Sequence, residues 1–94
     1  MSGEIKFDES KMRLAIDHMR RGAKELRTTI HATQSLAGLI EKGALVGEAG
    51  NQFQSSIKST LNSKIEEIAQ KLEEQARFTE TELEQLLKAA SKLR

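Results

Sequence analysis

Residues 43–50, GALVGEAG, put three glycines into eight positions of a chain that otherwise reads as helix almost from end to end. Gly43, Gly47 and Gly50 can all reach left-handed backbone angles, so the stretch predicts one sharp bend and two helices. Leu45 and Val46 are poor turn chemistry. Apolar residues at a tip should tuck back against Phe53, in the first turn of the following helix, or meet a partner.

Upstream of the bend, Asp8 is suited to N-cap a helix, and Glu9 beside it suits the positive end of the helix dipole. From there Met12, Ile16, Met19, Ala23, Leu26, Ile30, Thr33, Ala37 and Ile40 follow in alternating steps of four and three, a heptad seam. Leu36 and Leu39 widen the stripe near its end. Gly22 costs about 1 kcal/mol relative to Ala but permits close approach by a neighbouring helix. Downstream, Phe53, Ile57, Leu61, Ile65, Ile68, Leu72, Ala76, Thr79, Leu83, Leu86, Ala90 and Leu93 keep steps of three or four. The reading is a single domain over residues 1–94: helix 1 about 9–42, turn 43–47, helix 2 about 48–92. At 1.5 Å per residue the helices are roughly 50 and 60 Å long, and a short loop makes them antiparallel neighbours. The fold class is therefore all-α, an antiparallel two-helix hairpin. Folding about residue 46 places Phe78 level with Leu14 and Glu82 level with Ser10, within reach of Lys11 and Arg13.

A hairpin buries one stripe of each helix and leaves the flanks wet, so the ordering entropy of the chain is poorly offset. With 37% apolar and 3% aromatic residues, dimerisation into a four-helix bundle is the simplest remedy. The mate is either another copy or another small helical protein. Met12, Ile16, Met19, Leu26, Ile30, Ile40, Ile57, Leu61, Ile65, Ile68 and Leu72 form the expected partner-binding seam. Basic residues crowd the first half (Lys11, Arg13, Arg20, Arg21, Lys24, Arg27) and acids the second (Glu66, Glu67, Glu73, Glu74, Glu80, Glu82, Glu84), a split that favours one segment folding on the other or on a second chain. The net charge of +1 argues against a protein that holds nucleic acid by neutralising many phosphates. No cysteine is present. The N-terminal MSGEIKFDES carries acids where a signal peptide needs an apolar run, and no stretch approaches the ~20 apolar residues of a membrane span.

The hairpin, the chain length, and Leu45, Gly47 and Phe53 spaced as W-x-G followed by an aromatic eight positions after the W resemble the WXG-type, ESAT-like small proteins of type VII secretion. Leu45 stands where that family has Trp. Phe78 and Glu82, in FTETE, match the spacing of the family's export signal, Y-x-x-x-[D/E], with Phe for Tyr. Leu for Trp, together with Met1, Ser2 and Ile5 as M-S-x-x-I-x, looks most like the small helical targeting partners encoded beside LXG toxins. The resemblance implies an interaction protein that binds an LXG-domain toxin through helix-on-helix contact and displays Phe78 and Glu82 to the type VII secretion ATPase. It further implies a protein that is cytoplasmic before export and secreted without a signal peptide.

Catalysis would need polar groups converging in a concave pocket, which two long helices do not provide, so no enzyme is expected. His18 and His31 are thirteen residues apart, with no partner His at helical spacing, and read as surface residues rather than metal ligands. No cofactor is expected, since no strand precedes the glycines and no Lys-Ser/Thr follows Gly47. The alternative is a regulatory or nucleic-acid-associated coiled coil using the basic face around Arg20, Arg21, Lys24 and Arg27.

Overall fold

The computed structural model describes residues 6–92, and every regular element among them is helical. Helix α1 spans Glu9–Leu39 and ends in a π-helical turn, Ile40–Ala44; α2 spans Glu48–Ser55, a second π-helical segment spans Ser56–Leu61, and α3 spans Asn62–Lys92. Helix α1 packs along α3, and the molecule is a rod of 70 × 16 × 15 Å, the antiparallel hairpin that the bend predicts. Met1, Ser2, Ile5 and Leu93 lie outside the described residues.

Local chemistry sets both ends of α1. Asp8 is extended (φ −105°, ψ 97°); its carboxylate accepts the Lys11 N–H at 2.9 Å and its carbonyl accepts the Met12 N–H at 3.0 Å. Asp8→Ala is expected to cost about 1 kcal/mol, read as a lower thermal midpoint by circular dichroism, whereas Asp8→Asn keeps the cap. At the far end Gly43 leaves the helix at φ 102° and Gly47 turns at φ 85°. Gly50 has a different task. It is helical and buried, and a Cβ there would collide with the Leu45 carbonyl. Two glycines supply left-handed angles, and the third supplies room for the turn to lie on α2.

The buried core is a single file of Ile16, Ala23, Ala37 and Ile40 against Ile57, Ile65, Ala69, Ala76 and Leu83. Met12, Met19, Leu26 and Ile30 are half-buried beside it, so the first-helix seam packs as its spacing predicts. Toward the open end, Phe7, Met12, Met19 and Leu87 close around Ile16, Ala76 and Leu83.

The second limb departs from its predicted stripe. Leu61 and Ile68 face solvent at 44% and 51% exposure, Leu72 is half-buried, and Ala69 takes a fully buried position instead. Within α3 the inward positions run Ile65, Ala69, Leu72, Ala76, Thr79 and Leu83 in alternating steps of four and three, so the seam takes small Ala69 and leaves its neighbour Ile68 outside. The π-helical segment lies upstream, where Ile57 and Ile65 face inward and Leu61 between them does not. Ser55, Ser56, Ser59, Thr60 and Ser63 crowd this region, and the Ser59 hydroxyl donates to the Ser55 carbonyl at 2.6 Å, a side-chain bond that competes with regular helix.

Cross-helix contacts give the register. Leu72 lies against Gly22, the Thr33 hydroxyl donates to Asn62 Oδ1 at 2.5 Å, and Arg20 reaches Glu80. By the contacts of Gly22 with Leu72 and of Thr33 with Asn62, Phe78 is level with residues 16–17, and Glu82 with 12–13, rather than with Leu14 and Ser10.

Candidate partner-binding faces

Each helix has two flanks beside its buried stripe, and the two sides of the hairpin differ sharply in chemistry. On one side Arg20, Arg27 and Glu41, which recur at heptad spacing or a multiple of it, face α3 and the segment before it. Arg27 is the centre. Its guanidinium donates to Glu73 at 2.6 and 2.9 Å and to Glu66 at 2.8 Å, forking between carboxylates seven residues apart. Arg20 pairs with Glu80 at 3.1 Å, and Lys58 with Glu41 at 2.7 Å. A half-buried, bidentate Arg between two carboxylates is stronger and more directional than an ordinary surface pair.

The hydrogen bonds from Arg27 hold Glu66 and Glu73 below the ordinary carboxylate range, and Glu73 and Glu66 raise the guanidinium in turn. Lys58 lowers Glu41 in the same way. A carboxylate with a depressed folded pKa adds stability above its unfolded value, about 4.3, and loses that stability as pH falls through the folded value. The thermal midpoint is therefore expected to fall as the pH is lowered below about 4.3, and to fall less in Arg27→Gln, where both carboxylates return toward their ordinary range. Melts between neutral and strongly acidic pH check this.

The opposite flank carries no cross-helix ion pair among the described residues. On α1 it is the stripe Ala15, Gly22, Thr29 and Leu36, each one residue before a buried or half-buried seam position. The Thr29 hydroxyl donates to the Glu25 carbonyl at 3.2 Å, satisfied within its own helix. On the second limb it is Leu61, Ile68, Gln75 and Glu82, also seven apart. This flank is small on one helix and large on the other toward the tip. It is the hairpin's uncharged side over most of its length.

At the tip, Leu45, Val46 and Phe53 are exposed, Val46 at 75%. The Leu45 carbonyl rests on α2 at Gly50. A shallow cleft of about 330 Å³ opens there between Ile40, Glu41, Leu45, Val46, Asn51 and Gln54. Near the other end Phe78 stands out at 61% exposure, one turn from exposed Glu82. Glu82 makes no ion pair among the described residues: Lys11 pairs with Asp8 and Arg13 with Glu9. His18 and His31 are exposed, and among the described residues no group of three His, Cys, Asp or Glu is placed to hold a metal.

Of the basic face around Arg20, Arg21, Lys24 and Arg27, three members are engaged by acids, with Arg21 bound to Asp17 at 2.7 Å. Among the described residues no helix is long and apolar enough to cross a membrane. Compared with protein-family models, curated proteins and solved structures, the chain matches none.

Proposed function

We propose that this protein is a small interaction partner of type VII secretion that binds the helical LXG domain of a toxin by helix-on-helix packing and presents Phe78 and Glu82 to the secretion ATPase. The observation that carries the reading is the exposed Phe78 with Glu82 one turn on, off the buried stripe, on a rod that exposes Leu45, Val46 and Phe53 at its tip and Leu36, Leu61 and Ile68 along one flank. An exposed aromatic beside an unpaired acid is a compact recognition element, because the ring supplies area at low entropy cost and the carboxylate supplies direction. In this reading the protein is made in the cytoplasm, leaves without a signal peptide, and performs no catalysis.

The test is export in a host carrying the secretion system. Phe78→Ala and Glu82→Ala are expected to abolish appearance in the culture supernatant while helicity and toxin binding stay near wild type. Normal secretion of both variants would remove the assignment. Leu45→Asp is expected to weaken partner or machinery contact with little change in thermal midpoint, since the Leu45 side chain is already exposed. The engagement of Arg20, Arg21 and Arg27 by carboxylates weighs against the nucleic-acid reading. A duplex-DNA titration over a salt series is expected to show no steep salt slope.

A further inference from the structure

Between Ile57 and Leu72 the second limb carries one residue more than a regular seam needs. The inward line runs Ile57, Asn62, Ile65, Ala69 and Leu72 in steps of five, three, four and three, and the step of five falls on the π-helical segment. The extra residue can equally be spread along the helix. Ile57, Leu61, Ile65, Ile68 and Leu72 step four, four, three and four, a pattern that regular α-helix accommodates by unwinding the supercoil locally. Both lines share Ile57, Ile65 and Leu72, so the helix on either side keeps its register. They differ in what faces α1: polar Asn62 and small Ala69, or large Leu61 and Ile68.

We infer that this stretch has two packings, related by a rotation of about 50°, half the angle between successive helical residues, and that the Arg27 fork holds it in the one that displays Leu61 and Ile68. The flanks supply the lock. Leu61 and Ile68 lie on one side of the inward line, and Glu66 and Glu73 lie on the other, toward Arg27. A rotation that brings the two aliphatic side chains in therefore carries both carboxylates away from α1. Arg27 donates to Glu73 at 2.6 and 2.9 Å and to Glu66 at 2.8 Å, so the turn would break every one of these bonds. The Thr33 hydroxyl, donating to Asn62 Oδ1, is a second catch at the π-helical end.

Against the lock stands the burial of Leu61 and Ile68, now exposed at 44% and 51%. The observed packing leaves these two outside, keeps an amide in the seam and maintains a π-helical turn, three unfavourable features that the fork offsets. The second packing has its own cost, since the helices must part where fully buried Ala69 now lets them approach. Display of an apolar pair on the uncharged flank is thus set by a charge cluster on the opposite one. A ligand that needs Leu61 and Ile68 selects the locked packing, and loss of the fork withdraws them. The switch does not rest on the secretion assignment.

The experiment is methyl NMR on the full chain with labelled Leu and Ile, read as attenuation by a soluble paramagnetic agent. In the wild type the Leu61 and Ile68 methyls should be attenuated several-fold more than those of buried Ile57 and Ile65. Arg27→Gln should protect them several-fold, and so should Glu66→Gln combined with Glu73→Gln, which opens the same lock from the other helix. Arg20→Gln removes a cross-helix pair beyond the rotating stretch and should leave them exposed. Deleting Thr60 removes the extra residue and with it the second packing, so Arg27→Gln should change nothing in that background. Shielded Leu61 and Ile68 in the wild type, no protection in either lock variant, equal protection in Arg20→Gln, or an Arg27→Gln effect that survives the deletion would each overturn the switch. Protection that grows with chain concentration would do so too, being association rather than rotation, and loss of helicity in both lock variants would mean that no second packing exists.

Discussion

Leu83→Ala is expected to lower the unfolding free energy by about 3 kcal/mol, a large part of what a two-helix rod can have. Leu83 is the largest side chain that is essentially sealed from water, at 2% exposure, and it fills the space between Ile16 and Ala76 with Phe7, Met12, Met19 and Leu87 around it. The transfer term for three lost carbons applies in full. The cavity term is smaller than in a thick core, because the walls are flexible Met and Leu side chains at an open flank and can collapse; hence about 3 rather than 5 kcal/mol. Leu87→Ala, half-buried at the edge of the same cluster, should cost about 1 kcal/mol by the same area reasoning. Urea unfolding at one fixed chain concentration checks both, since dimer formation would make stability concentration-dependent. Equal losses at Leu83 and Leu87 would mean that the open end is not packed as described.

The first helix was legible because nothing interrupts it. Thirty-one residues of α1 keep one hydrogen-bond period, so the four-three alternation from Met12 to Ile40 maps directly onto the buried file. The expected stripe of the second limb breaks that alternation, stepping four, four, four and three from Phe53 to Ile68, because it takes large Ile68 in place of small Ala69; the backbone changes period at Ser56–Leu61, Leu61 lies outside the seam, and in α3 the inward line runs Ile65, Ala69, Leu72, Ala76, Thr79 and Leu83. A spacing rule assumes a constant rotation per residue, and the serine and threonine cluster that breaks it has no pattern of its own. The Arg27 fork was half visible. Glu66, Glu73 and Glu80 recur every seven residues and could be read as one acidic edge, yet their pairing with Arg20 and Arg27 depends on a register that the turn sets. Phe78 was legible as an exposed residue because it falls between the steps of the stripe, and a ring left outside a seam faces water wherever the helix goes.

Gly50→Ala sets two principles against each other. In a helix interior, replacing Gly with Ala stabilises by about 1 kcal/mol through propensity alone. Here the new Cβ would overlap the Leu45 carbonyl, which is backbone and cannot rotate away as a side-chain tip could, and it would also touch Ile40 Cγ2 at 3.6 Å. Relief requires the turn to lift off α2, which shifts Ile40 in the buried file and disturbs the angles held by Gly43 and Gly47. Overpacking of this kind costs about 1–3 kcal/mol, so the expected net result is a loss of about 2 kcal/mol, opposite in sign to propensity. Gly38→Ala is the matched control: also helical, with nothing within 4 Å of its added Cβ, it should gain up to about 1 kcal/mol. Thermal melts of the two variants should move in opposite directions. If Gly50→Ala rises with Gly38→Ala, the Leu45 carbonyl does not rest on α2, and the bend is held by the left-handed angles of Gly43 and Gly47 alone.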